Sequence, residues 1–414
     1  MPVPKTCIAF TAAAVAATAI ACGAPDPAEW KIASLNALES PAGANSSEPQ
    51  LSVSSRGALL SWIERVGTTT SLKFAERTGS GWTQPVTAAS GPDWFLSYAD
   101  VPSVKRLASG TLVAQWLENT DAQLEAYNLR MSYSKDDGKT WAASFLPHND
   151  GTKSQHGFAS MFDLPGNGLG VLWLDGRNSA FDFDKPETGT MELRYASFDS
   201  NMKQTGDIEV DHRVCECCQT TAAITADGPL VAFRDLTPDS IRDIGVSRLE
   251  GAKWTETTIV APDKFAIDFC PVNGPAMSAR GRDVAVAWFT VKNDLGQALA
   301  AFSSDAGRTW TAPQRLDELG SLGRVDIELL DDGSAVASWV EYAGGKTDLR
   351  LRRIDKTGAR SAAQNIVAVS GGRASGFPRM ARQGDQLIFA WSESASANDE
   401  SGALKVSTAV AGLP

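Results

Sequence analysis

The chain has 414 residues, with 38 Lys and Arg against 49 Asp and Glu, and a formal net charge of −11. That balance repels polyanions and excludes nucleic acid or an anionic membrane surface as the partner. Twelve tryptophans and six cysteines are the compositional signals that need explaining.

The first 22 residues carry one positive charge, Lys5, then a short apolar run, "CIAFTAAAVAATAIA", then Cys22. The run is shorter than a bilayer-spanning helix and has the layout of a signal peptide. The small residues before Cys22 resemble a bacterial lipobox, with Ala19 where leucine is usual. Cys22 is then the lipidated first residue of a lipoprotein exported to the periplasm or cell surface, with plain secretion as the alternative. Residues 23–414 are expected to form one domain, and no later stretch is long and apolar enough to span a bilayer.

Next comes "WKIASLNAL", a strand-like segment led by Trp30. A pattern then recurs: a short apolar run ending in Trp, with an acid or Thr two residues on. It places Trp62, Trp116, Trp173, Trp288, Trp339 and Trp391, with Phe233 in an equivalent copy. The spacings are 54, 57, 60, 55, 51 and 52 residues. A period near 55 suits four short strands with their turns, which is one blade of a β-propeller. Each copy offers an alternating strand A, the Trp-bearing strand B and a strand C. A fourth, strand D, often opens with Trp, as at Trp82, Trp141, Trp254 and Trp310. No segment has a helical period. The seventh copy lacks a strand D, and the Trp30 segment supplies one. The expected fold is all-β: a propeller of seven blades, with six as the alternative, closed by the N-terminal strand completing the last blade. Such closure removes two exposed sheet edges.

Between strands C and D, "SKDDGKTW" (134–141) and "SSDAGRTW" (303–310) both fit S-x-D-x-G-x-T-W. In each, Asp136 or Asp305 can accept backbone N–H bonds, and Gly138 or Gly307 can supply a positive φ. These turns resemble the Asp box of sialidase-like, BNR-repeat propellers, and the resemblance covers nearly the whole mature chain at the level of fold. It implies that the boxes are structural and lie on the face opposite the functional one.

Strand direction puts the D–A and B–C loops on that functional face. The B–C loops carry acids in six of the seven copies: Glu64, Glu118, Asp175, Asp235, Glu341 and Glu393, with Thr290 in the fifth. Arg65, Arg177, Arg234, Arg324 and Arg379 are interleaved, and the adjacent pairs Arg177–Asp175 and Arg234–Asp235 look best placed to bind a ligand. Trp94, in a D–A loop, is a candidate stacking platform for a sugar ring. The plainer alternative is that the acids tether loops and that Trp94 is loop packing.

"RVCECCQTTAA" (213–223) and "DFCPVNGPAMS" enter neighbouring blades, which brings Cys215, Cys217, Cys218 and Cys270 towards one another. Four cysteines allow three pairings. Disulfide staples, a Zn or Cu(I) site with His156 or His212 as a further ligand, and a redox role are all open.

The sialidase resemblance implies an arginine clamp, a Tyr–Glu nucleophile and an Asp acid. Candidates here are Arg177, Arg234, Arg324 and Arg379, Tyr342 with Glu341, and Asp175 or Asp100. The family's F/Y-R-I-P sequence is missing near the start; "FPRM" at 377–380 has a different order. The leading expectation is a monomeric exported propeller that binds a glycan, another small ligand or a protein at its top face. The alternative is a glycoside hydrolase of the exo-alpha-sialidase type, or a metal-dependent enzyme using the cysteines.

Overall fold

The Trp-bearing segments are apolar at nearly every position, the signature of strands covered on both faces. In the computed structural model, which describes residues 29–79, 81–182, 185–394 and 403–414, they are the second strands of seven antiparallel sheets. These second strands are Gly57–Val66, Leu112–Asp121, Gly168–Asp175, Gly228–Arg234, Asp283–Lys292, Ala335–Ala343 and Gln386–Ser394. The innermost strands are Ser46–Ser54, Ser103–Arg106, His156–Leu164, Thr221–Thr225, Ala276–Arg280, Ser321–Leu329 and Arg379–Gln383. The fold is a seven-bladed propeller. The signal segment and Cys22 lie outside the described residues. Among those residues no helix is long and apolar enough to cross a membrane.

Closure follows the sequence expectation. Asn36–Leu38 pairs antiparallel with the last strand, Leu404–Gly412, with Ala37 opposite Ala409. Trp30 is 6 % exposed and packs in the cluster between blades six and seven. Its neighbour Ile32 donates its backbone N–H to the Gln364 side chain at 3.2 Å.

Seven apolar clusters fill the seven blade interfaces. Trp62, Trp116, Trp173, Phe233, Trp288, Trp339 and Trp391 each sit in the cluster shared with the preceding blade. Truncating a side chain of this size costs about 3–5 kcal/mol, so one aromatic per interface is a large share of a domain's net stability.

The two S-x-D-x-G-x-T-W turns are built alike. Asp136 Oδ1 accepts from the Thr140 N–H at 2.9 Å and from Ser134 Oγ at 2.8 Å. Asp305 Oδ1 accepts from the Thr309 N–H at 2.9 Å and from Ser303 Oγ at 2.7 Å. The Thr140 hydroxyl and backbone bonds hold the Asp136 carboxyl down at about 2. Gly138 and Gly307 have φ of 83° and 82°. A Cβ on Gly307 would meet the Leu230 side chain at 2.7 Å, and one on Gly138 would meet Phe74 at 2.9 Å. The turns therefore lock onto the preceding blade's core as well as shaping the C–D connection.

Gly307→Ala should destabilise the domain by about 1–3 kcal/mol, through the left-handed φ and the collision with Leu230. Urea unfolding checks this; a midpoint equal to that of the parent would show that the turn does not need the close approach.

Candidate functional site

The ring of B–C acids is mostly a set of indole acceptors. Trp62, Trp173, Trp339 and Trp391 donate their Nε1–H to the acid two residues on, Glu64, Asp175, Glu341 and Glu393, at 3.3, 2.7, 2.8 and 2.8 Å. A buried indole N–H needs an acceptor, and the B–C loop supplies it. In blade five, where Thr290 replaces the acid, Trp288 donates to Asp263 of the loop that enters the blade, at 2.6 Å. In blade four, where Phe233 has no N–H to give, burial and nearby Asp211 push the Asp235 carboxyl up to about 6. Cations from the same blade complete the pattern: Lys73 on Glu64, Arg130 on Glu118 and Arg350 on Glu341.

The arginine candidates do not converge into one clamp. Arg177 is spent on Asp175, with Nε and Nη2 at 2.8 and 2.7 Å from its two oxygens. Arg234 is 2 % exposed and donates to the carbonyls of Asn273, Arg242 and Phe289. Arg324 bonds Ser375 Oγ and the Gly372 carbonyl. Arg379 stands in the central channel over the Phe377 ring. Trp94 is not a platform: it is 8 % exposed and stacks on Trp116 with centroids 5.6 Å apart. Asp175 is in blade three and Glu341 in blade six, each tied to its own tryptophan. Tyr342 is 56 % exposed and points to the opposite sheet face from Glu341. Asp100 is buried and accepts the Phe158 N–H at 2.7 Å, and burial raises its carboxyl to about 7.

His156 does not join the cysteines, and His212 is exposed on the outer strand of blade three. His156 groups instead with His148 and Asp150. Its Nδ1–H donates to the Tyr127 carbonyl at 3.2 Å, and its Nε2 faces Asp150 Oδ2 at 3.1 Å. The two imidazoles stack at 3.8 Å with planes 3° apart. Parallel planes do not converge on one ion, so this grouping is a His–carboxylate–His lock. Burial lowers His148 to about 4.

The central channel encloses about 350 Å³ and is lined by all seven innermost strands. Lys105, Asp326, Glu328 and Arg379 face it. Burial raises the Glu328 carboxyl to about 8. Across the top, Gln219 donates to the Ala99 carbonyl and accepts the Gly274 N–H, both at 2.9 Å. It joins the entry loops of blades two and five, and Phe158 and Phe377 share one apolar cluster beneath this face.

The polar opening therefore lies off the axis, between blades one, two and seven. It holds about 210 Å³ and is lined by Glu48, Arg65, Tyr98 and Arg373, with Leu96, Ser392 and Leu404 as apolar or small neighbours. Glu48 precedes Pro49 in a β-bulge and has φ of 56°. A non-glycine residue before proline strongly disfavours that region, and such strain collects at functional sites. Its Oε2 is buried and has no hydrogen-bond partner among the described residues. Desolvation raises its carboxyl to about 8, against the pull of Arg65 and with a push from Asp100. Arg373 lies 5.6 Å over the Tyr98 ring. Neither Arg65 nor Arg373 is in an ion pair among the described residues. Of these residues Arg65 is legible in the sequence; Glu48, Tyr98, Arg373 and His148 are not. The one linear signal was position: Glu48 stands two residues before the first channel-lining residue of its blade.

Cys215, Cys217, Cys218 and Cys270 do gather. Cys217 and Cys270 form a disulfide, and Cys215 and Cys218 are buried thiols. The Sγ atoms of Cys215 and Cys218 are 2.9 Å apart, and Cys270 Sγ is 3.5 and 4.0 Å from them. Burial raises both thiols. The Cys215 hydrogen bond, Arg234, the Asn273 N–H and Arg242 then draw Cys218 below the ordinary thiol range, while Cys215 stays above it.

No family model and no curated protein matches this sequence. Solved structures do. A polysaccharide lyase superposes with a TM-score of 0.51 at 8 % identity, over 89 % of this chain and 90 % of that one. An alpha-l-arabinofuranosidase from Fusarium graminearum gives 0.49 at 12 % identity, over 92 % and 97 %. The intramolecular trans-sialidase from Ruminococcus gnavus gives 0.47 at 12 % identity, over 77 % and 96 %. The likeness to the lyase shows a shared fold.

Because the folded Glu48 carboxyl titrates above its unfolded value, the native state holds the proton longer. Its contribution to stability is complete below pH about 4.5 and is lost as pH rises through about 8. Glu48→Gln should remove that slope and leave the protein more stable than the parent at pH 8 by roughly 1–3 kcal/mol. Denaturation midpoints at pH 5 and pH 8 measure it; parallel pH profiles for the two proteins would refute it.

Proposed function

We propose that this is an exported, lipid-anchored propeller, attached through Cys22, that binds an acidic saccharide in the off-axis pocket of blades one, two and seven. The observation that carries this is Glu48, whose desolvated Oε2 has no partner among the described residues, in a pocket shared with Arg65 and Arg373, neither of them in an ion pair among those residues. Arg65 and Arg373 suit a carboxylate or sulfate on the ligand, because a guanidinium presents a planar fork of donors. A protonated Glu48 donates a hydrogen bond to a ligand oxygen where an ionised one would repel it. Tyr98, which stacks on Phe377 and carries Arg373 over its ring, brings its phenol to the pocket wall. The lyase that shares this fold acts, by its name, on polysaccharides; the acidic character proposed for the ligand rests on the pocket's chemistry alone. The S-x-D-x-G-x-T-W turns, as Asp boxes, lie on the other face and serve only the fold.

One observation favours a catalytic version. The pocket assembles a tyrosine, a glutamic acid held protonated and two arginines, the residue types that sialoside hydrolysis uses. In that reading Glu48 is the proton donor to the leaving oxygen and Tyr98 the nucleophile, since a phenol avoids setting a carboxylate against an anionic substrate.

Binding of acidic and neutral oligosaccharides to the purified mature chain, measured by calorimetry, tests the first reading. Acidic ligands should bind and neutral ones should not. Arg65→Ala and Arg373→Ala should each weaken binding by roughly 10-fold or more, the effect of a lost charged hydrogen bond. Equal affinity for neutral and acidic ligands, or indifference to both substitutions, would overturn it. Turnover of a fluorogenic sialoside that is lost in Tyr98→Phe establishes the catalytic version; a folded chain with no turnover removes it.

A further inference from the structure

The loops entering blades four and five hold four sulfurs in two chemical states. Cys217 and Cys270 are bonded to each other, with Cα atoms 6.2 Å apart. Cys215 and Cys218 are reduced, buried and 2.9 Å apart. A structural staple needs only the first pair. The second pair adds nothing to a tether between the loops, because its members are three residues apart in one loop. It does place Cys215 Sγ 3.5 Å from Cys270 Sγ, the contact from which a thiolate attacks a disulfide.

We propose that the four cysteines form a thiol–disulfide exchange centre, in which the buried Cys215/Cys218 dithiol and the Cys217–Cys270 disulfide interchange, and the outer pair trades electrons with external thiols and disulfides. The steps balance within the cluster. Cys218 starts as the thiolate and takes the Cys215 proton across 2.9 Å, and the Cys215 sulfur attacks Cys270. The Cys215–Cys270 bond forms, the Cys217–Cys270 bond breaks, and Cys217 leaves with the electron pair and takes a proton. Cys218, after losing its proton, then attacks Cys215. The Cys215–Cys218 bond forms and Cys270 leaves as the thiolate. Two electrons and one proton have moved from one pair to the other, the negative charge has passed from Cys218 to Cys270, and the internal exchange consumes no further reagent.

The surroundings suit this chemistry. Arg234 and Arg242 lie close enough to favour a thiolate at Cys218, and the Asn273 backbone N–H points at its sulfur. Arg242 is itself held by Glu216, between the cysteines, at 2.6 Å. A lowered thiol pKa beside cationic groups is the condition for a reactive cysteine. Cys217 and Cys270 are half-buried while the other two are shielded, so external thiols meet the cluster through the bonded pair. Phe269, next to Cys270, is 69 % exposed and gives an incoming polypeptide an apolar foothold. This proposal stands apart from the saccharide pocket and does not depend on it.

The experiment uses the full chain equilibrated without oxygen in glutathione buffers of graded redox ratio, with oxidised glutathione as the external disulfide. Samples are acid-quenched, alkylated and mapped by mass spectrometry, with folding checked by circular dichroism. Wild type at intermediate ratios should contain both single-disulfide forms, Cys217–Cys270 and Cys215–Cys218. Cys218→Ser removes the second attack and should accumulate the Cys215–Cys270 bond with Cys217 free. Cys215→Ser should retain Cys217–Cys270 only. A Cys218→Ser protein that holds Cys217–Cys270 alone would overturn the proposal. So would wild type that shows no Cys215–Cys218 bond at any ratio, a measurement that needs no variant. One equivalent of zinc or copper bound by all four sulfurs would overturn it too.

Discussion

The structure depends on how a buried indole N–H finds an acceptor. Each blade pushes an aromatic side chain from its second strand into the interface with the blade before it. A tryptophan there gains a large apolar burial but brings a donor that water can no longer satisfy. The chain answers with a carboxylate two residues on, at the point where the strand leaves the interface for the top loop. Strand alternation puts positions i and i+2 on the same face, so the acid lies against the indole edge. The carboxylate then draws a cation from the neighbouring strand, as Lys73 and Arg350 show. Exceptions follow the same logic. Thr290 cannot serve, and Asp263 replaces it; Phe233 asks for nothing, and Asp235 is left with a raised pKa.

This explains why the fold was legible and the site was not. The tryptophan period encodes the interfaces directly, because each interface needs one large aromatic at one register. The missing last strand and the surplus first one likewise announced the ring closure, and Asn36–Leu38 occupies that place. The acids beside the tryptophans were equally visible, and they look like a binding ring. Their role is set by a donor that is polar only at one atom, which a residue pattern does not separate from ligand chemistry. Trp94 misled in the same way: a loop tryptophan looks exposed until Trp116 is known to lie against it.

The off-axis pocket was hidden for a different reason. Glu48, Tyr98 and Arg373 come from three blade entries separated by most of the chain, and no spacing rule links them. What singles out Glu48 is a backbone state and an orphaned oxygen, neither of which is a property of a sequence. The cysteines fall between these cases. Their gathering could be read from blade adjacency, whereas the division into one bonded and one reduced pair required the coordinates.

The Gln219 strut bears on what this protein can hold. By tying the entry loops of blades two and five together, it sets a side chain across the top of the bore. On the reading proposed above, a long saccharide lies along the rim, gripped at one residue and free on either side, so that internal units of a chain are as available as its ends.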